Sequence, residues 1–206
     1  MIKAKHHPVI YPLFQRLTTF LIKRHFNAVY IEGEFADKGQ SVLVVANHVS
    51  WWDGFWVEYL NLKKIGKKFY FMMLKEQLKK HWYFKHTGGY SVKKKSREAL
   101  ESITYTSELL SQPGNLVLLF PQGEIHSIYN NDFHFEKGIA RVLKLTPPET
   151  SVLFVANLVD YFSDIKPNLS IYQEAFTVKD FEFNSIEDAY NHFYLKALCT
   201  QKEKTS

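Results

Sequence analysis

"SVLVVANHVSWWDGFW", residues 41–56, holds the junction on which the fold turns. Val42 to Ala46 form an unbroken apolar run of the kind found in a strand of a sheet covered on both faces. From Ser50 onward the pattern reads as the start of a helix, with Ser50 or Asp53 placed to cap it. Strand candidates recur at "AVYIEGE" (28–34), "KFYFMML" (68–74), "YSV" (90–92), "LVLLFP" (116–121), "SVLFVANLV" (151–159) and "LSIYQEAF" (169–176). Helical patterns fall between them: "EQLKKHWYFKHT" ending at Gly88-Gly89, a segment from about Ser96 to Leu110 stopped at Pro113-Gly114, "FHFEKGIARVLKLT", and a last helix from a Ser185 cap. This alternation predicts an α/β domain with a mostly parallel central sheet flanked by helices.

Residues 9–26 precede that domain as an amphipathic basic helix, with Leu13, Leu17, Phe20 and Leu21 at helical spacing and Arg16, Lys23 and Arg24 among the polar positions. Packing on the domain and contact with an anionic bilayer surface are both open to it. The organisation read here is an N-terminal membrane-proximal helix (1–27), one catalytic-size domain (28–200) and a disordered tail (201–206). The 26 Lys and Arg exceed the 21 Asp and Glu, giving a net charge of +5, a mild excess that suits a membrane surface or a phosphorylated ligand. No stretch approaches the roughly 18 apolar residues of a bilayer span. The single Cys199 permits no internal disulfide, which points to a reducing compartment and, with the aromatic content of 16%, to the cytoplasmic face of the cell membrane as a peripheral protein. Nine histidines bring no His-x-x-x-His or carboxylate cluster, so no metal is expected, and no nucleic-acid partner.

His48 ends the apolar strand and Asp53 follows it by five residues, where loops leaving parallel strands build sites. An imidazole takes a proton near neutral pH, and a carboxylate on its other nitrogen fixes the tautomer and stabilises the imidazolium. Ser50 is the nearest hydroxyl, but no Gly-x-Ser-x-Gly elbow presents it as a nucleophile. A dyad without its own nucleophile leaves the hydroxyl to the substrate; a structural histidine beside a helix cap is the other reading of these two residues. A second strand, broken by Pro121, opens into Gln122, Gly123, Glu124, His126 and Ser127, a turn that brings polar atoms to the rim of a sheet.

Together these stretches carry a resemblance. "NHVSWWD" resembles the Asn-His-x-x-x-x-Asp signature of the glycerolipid and lysophospholipid acyltransferases of the bacterial lysophosphatidate acyltransferase type, and "FPQGE" (120–124) is similar to their Phe-Pro-Glu-Gly block roughly 70 residues later. "GGYSVKKK" (88–95) resembles their second block, and "FEKGIARVL" (135–143) the helix that follows the third. The resemblance covers roughly residues 28–175. It implies transfer of an acyl group from acyl-CoA or acyl carrier protein to a hydroxyl of a lipid acceptor, with no bound cofactor. His48 would be the general base and Asp53 its orienting partner, with an oxyanion held near the third block. Asn47, Ser50, Gly88, Lys94, Phe120, Pro121, Gln122, Gly123 and Glu124 are the expected substrate-binding set, Asn47 holding the turn that carries His48. A thioester hydrolase and a non-catalytic lipid-binding module are the alternatives.

Three positions depart from the family pattern. Gln122 stands where glutamate is usual, Ile125 where many members that acylate lysophosphatidate carry arginine, and Lys94 where the second block ends on arginine. A guanidinium binds phosphate bidentately and an ammonium does not. The acceptor therefore stays open among lysophosphatidate, a glycolipid, an amino-acid-based lipid and another hydroxylated lipid.

Overall fold

The computed structural model describes residues 1–181 and 185–205, without the side chain of Ser185; the cap expected of Ser185 lies outside the described residues. The strands are β1 (Val29–Glu32), β2 (Val42–Ala46), β3 (Lys68–Leu74), β4 (Gly89–Val92), β5 (Asn115–Leu119), β6 (Ser151–Asp160) and β7 (Asn168–Thr177). They form one seven-stranded sheet in the order β1-β7-β6-β2-β5-β3-β4, parallel except for the β6–β7 pair. The helices are α1 (Ile10–His25), α2 (Asp53–Leu60), α3 (Lys75–Lys80), α4 (Arg97–Leu110), α5 (Gly138–Leu145) and α6 (Ser185–Lys202).

The continuous apolar strands are explained by two helical layers. In β2, Val42, Val44 and Ala46 face a core shared with Phe14, Ile22, Phe55, Trp56 and Leu78 of α1, α2 and α3. Leu43 and Val45 face the opposite core, with Leu109, Val142 and Tyr190 of α4, α5 and α6. Because successive strand residues point to opposite faces, a one-residue slip would exchange the two sets, and burial on both sides fixes the register.

Three helices differ from their expected extents, α5 among them, which begins at Gly138 rather than at Phe133. The one after β2 starts at Asp53 and closes with a π turn, Asn61–Ile65, ending on Gly66 in left-handed conformation. The segment before Gly88 is split into α3 and a 3-10 stretch, Trp82–Thr87, because His81, at φ −110° and ψ 55°, interrupts the helical path. The tail expected to be disordered from residue 201 begins as helix instead. Helix α6 runs to Lys202, and the buried Gln201 accepts from the Tyr172 hydroxyl (2.8 Å) and donates to Asp160 (2.7 Å).

Helix α1 packs through a different face from the one its pattern picked out. Phe14, Thr18 and Ile22 are buried, while Leu13 and Phe20 are about 60% exposed and Val9 and Leu17 are exposed as well. The apolar face is wide, with Phe14 and Ile22 towards one side and Leu13, Leu17 and Phe20 towards the other, so periodicity does not distinguish the stripe that meets the domain from the stripe that meets the surroundings. Among the described residues no helix is long and apolar enough to cross a membrane.

Candidate active site

Strands β2 and β5 are parallel neighbours, with Val45 opposite Leu119, so the loops leaving their carboxyl ends emerge side by side. This brings the "NHVSWWD" and "FPQGE" stretches together. Two contacts join them at the His48 backbone: its amide donates to Gln122 Oε1 (2.7 Å), and its carbonyl accepts the His126 amide (2.9 Å). The His48 ring stacks on Phe120, with centroids 4.1 Å apart and planes within 10°.

Asp53 opens α2 and is fully buried beneath His48. Its Oδ2 accepts from His48 Nδ1 (2.7 Å) and from the amides of Val49 (2.7 Å) and Ser50 (2.9 Å). The carboxylate thus holds the loop and the ring with one oxygen, placing the proton on Nδ1 and leaving Nε2 with its lone pair. Burial pushes the Asp53 carboxyl above its ordinary range, and the bonds from His48 and the two amides pull against that rise.

His48 borders a cavity of about 1000 Å³. One part of its wall is apolar: Phe14, Trp51, Phe55, Phe71, Met73 and Phe84. The four aromatic residues after the histidine are divided in their roles. Phe55 and Trp56 are core, Trp52 is half-buried against His25 and Phe26, and Trp51 is exposed on the cavity wall. The β3 residues Met72 and Met73 also reach the wall, although Tyr70 is buried.

Of the expected substrate-binding residues, Lys94, Phe120, Pro121, Gly123 and Glu124 border the cavity. Gly123 adopts a φ of +75°, and a Cβ there would lie 2.6 Å from Lys94 Nζ; the missing side chain lets Lys94 cross the turn to its partner Glu136 (2.8 Å). Glu124 points outward, 3.4 Å from His126 Nε2.

Four residues of that set serve the frame instead. Asn47 is fully buried, its amide group paired in both directions with the backbone of Asn157 in β6 (3.0 and 2.8 Å). It braces the end of β2, as expected of a residue holding the His48 turn, but touches no cavity surface. Ser50 Oγ accepts the Trp52 amide (2.8 Å), a turn contact rather than a nucleophile's setting. Gly88, at φ +110°, sits where a Cβ would meet the Phe69 carbonyl at 2.1 Å, so its role is to let β3 and β4 approach. Gln122 is buried under the His48 amide, its Nε2 without a partner among the described residues.

Lys94 and Lys95 line the far side of the cavity, and beside them stand charged side chains that sequence reasoning passed over: Arg97 at the start of α4, and Lys137 and Arg141 of the α5 region. The signal was available in part, since Lys137 and Arg141 stand four residues apart and share a helix face.

The fold matches the crystal structure of the 1-acyl-sn-glycerophosphate (LPA) acyltransferase PlsC from Thermotoga maritima, with a TM-score of 0.66 and 18% identity over 95% of this chain and 81% of that one. No curated protein matches the sequence. The family profile described as Acyltransferase matches residues 28–156, which contain the dyad, the Gly123 turn and α5, and the chain belongs to that family.

Proposed function

We propose that this acyltransferase moves a fatty acyl group from the thioester of acyl-CoA or acyl carrier protein to a hydroxyl of a lipid acceptor. The observation that carries the reading is the orientation of His48: Nδ1 is tied to buried Asp53, the ring is clamped on Phe120, and the residue borders a large, partly apolar cavity. Nε2 accepts the proton of the acceptor hydroxyl as its oxygen attacks the thioester carbonyl. Collapse of the tetrahedral intermediate breaks the C–S bond, and the departing sulfur takes the proton back from the imidazolium. Asp53 stabilises that imidazolium, and the chemistry calls for no bound cofactor. The aromatic wall receives the acyl chain and keeps water from the thioester.

The acceptor named for the Thermotoga protein, a 1-acyl-sn-glycerophosphate, is one candidate here beside glycolipids and other hydroxylated lipids. A peripheral position on the cytoplasmic face of a membrane is supported by the stripe Val9, Leu13, Leu17 and Phe20, flanked by exposed Arg16, Lys23 and Arg24. Phe14, on the inner side of the same helix, lines the cavity, so the surface offered to lipid and the acyl wall lie on one element.

The test offers labelled acyl-CoA and acyl carrier protein with a panel of acceptor lipids in vesicles, comparing wild type with His48→Ala. Acylated lipid is expected from the wild type and a loss of about 10²–10⁴-fold in the variant. Unaltered transfer by the variant would sink the mechanism, and free fatty acid released without an acceptor would make the protein a hydrolase.

A further inference from the structure

The pairing of Asp160 with Asn168 closes the β6–β7 hairpin and leaves residues 161–167 as its tip. Three large apolar side chains stand there in the open: Ile165 is 98% exposed, Tyr161 58% and Phe162 39%. The place of the tip follows from register. Ala46, the last residue of β2, pairs in parallel with Val155, and β6 then runs on to Asp160, roughly 17 Å further at the rise of a strand. The hairpin therefore projects past the level from which the His48 loop leaves the sheet, on the β6 side of that loop. It also lies beyond residues 28–156, the part of the chain that matches the family profile.

The tip is pinned to the residues that follow α1. The Asn27 amide donates to the Pro167 carbonyl (2.9 Å), and Asp164 Oδ2 accepts from the side chains of Asn27 (2.9 Å) and Asn168 (2.8 Å). Within the tip the Asp164 amide donates to the Tyr161 carbonyl (2.9 Å), and Phe162 sits at a φ of +47°, a left-handed conformation that glycine or asparagine takes with less strain. A large aromatic is thus held at a conformational cost in a place that is not core. The charges around it are uneven. Lys166 is exposed within the tip, and Lys23 and Arg24 are exposed in the last turn of α1. The two acids of the tip region are already bonded, Asp164 to the two asparagines and Asp160 to Gln201 Nε2 (2.7 Å). A convex apolar tip edged by cations complements an anionic bilayer surface, where alkyl and phenyl groups enter the acyl boundary, a phenol rests at headgroup level and cations meet phosphates.

We propose that Tyr161, Phe162 and Ile165 at the β6–β7 tip insert into the surface of an anionic bilayer as a second anchor, which with α1 holds the His48 end of the sheet against lipid. The proposal rests on the peripheral-membrane reading and adds to it a site outside α1. Because the tip is tied to Asn27, the two anchors are fixed relative to each other, and two fixed points set the tilt of the domain on the bilayer where one leaves it free.

Vesicles of equimolar phosphatidylglycerol and phosphatidylcholine test the tip with the chain intact. A Cys199→Ser background carries either Ile165→Cys or, as control, Lys179→Cys just past the other end of β7, each labelled with an environment-sensitive fluorophore. The label at 165 is expected to shift to the blue and to be quenched by lipids brominated on their acyl chains, and the label at 179 to do neither. Ile165→Asp is expected to weaken co-sedimentation about tenfold or more at an unchanged melting temperature, because the replaced side chain is almost wholly exposed. Phe162→Asn is expected to melt close to the wild type, since asparagine tolerates the left-handed backbone, and still to bind vesicles more weakly, a split that a merely structural phenylalanine would not give. An unshifted label at 165, or wild-type binding by Ile165→Asp, would overturn the proposal and leave α1 as the anchor. No binding by the wild type would overturn it together with the peripheral-membrane reading. A lipid-free dimer that Ile165→Asp dissociates, read by sedimentation velocity, would make the tip an interface between copies of the chain and overturn it as well. If the tip inserts but no acyl transfer occurs with any acceptor, the acyl-transfer reading fails and the anchor stands.

Discussion

Asp53→Asn separates the charge of the dyad from its geometry. In the wild type Oδ2 receives all three donors, from His48 Nδ1 and the amides of Val49 and Ser50, while Oδ1 is buried with no partner. An asparagine fits the same space with its oxygen at the Oδ2 position and its amide nitrogen at the Oδ1 position. All three hydrogen bonds persist, and an unpaired acceptor becomes an unpaired donor. What disappears is the negative charge that meets the imidazolium in the transition state. Two unit charges about 4 Å apart at an effective dielectric of about 20 attract by about 4 kcal/mol. At 1.36 kcal/mol per decade, that is a fall of about 10³-fold in kcat. Stability moves little or rises, because burial opposes the native charge and the neutral amide escapes that cost. Steady-state acyl transfer, measured beside thermal melting of the same preparation, checks both halves. A variant that melts like the wild type and keeps activity within about tenfold would refute the view that Asp53 acts electrostatically on His48.

Gln122→Ala leaves the His48 amide without its acceptor in a buried place. About 1–3 kcal/mol of stability and roughly a tenfold fall in kcat are expected, seen by denaturant unfolding and turnover. Glu58, wholly buried between Gln15 of α1 and Asn61, has its carboxyl raised by burial to about 7. The unfolded chain releases this proton near 4.5 and the folded one near 7, so stability is full below that window, declines across it by about 3 kcal/mol, and is level above; melts from pH 4 to 8 should show it, with the decline flattened in Glu58→Gln. The double variant Leu13→Glu, Phe20→Glu alters only exposed side chains of α1; it should lose co-sedimentation with anionic vesicles by more than tenfold and keep the wild-type melting temperature.

The order of strands and helices was legible because each strand is short, apolar and bounded by turn residues, and the two motifs announced where their loops would meet. What the sequence hid is which side of a residue faces what. Helix α1 shows this: Leu13 and Phe14 are adjacent and alike in hydropathy, yet one is exposed and the other buried. Only the placement of α2 and the 3-10 stretch decides between them. At the site the same difficulty separates Asn47, Ser50, Gly88 and Gln122, which belong to motif stretches but line no part of the cavity, from Arg97, which lies outside every motif stretch but borders it. A motif records which residue types a loop requires; it does not separate those that shape the loop from those that meet a ligand.

Gln122 makes that distinction concrete. Its place in the "FPQGE" turn invites a role toward substrate, but its oxygen is spent on the His48 amide and the side chain is buried. A glutamate at this position would make the same bond and bring a second buried carboxylate to the His48 loop, at a desolvation cost. The amide supplies the bond without that charge, so in this chain the loop-to-loop contact is neutral and Asp53 is the sole carboxylate bonded to His48 among the described residues. His48 and Asp53 are thus held by the loops leaving two neighbouring strand ends, while Arg97 and Arg141 stand on helices α4 and α5 across the cavity.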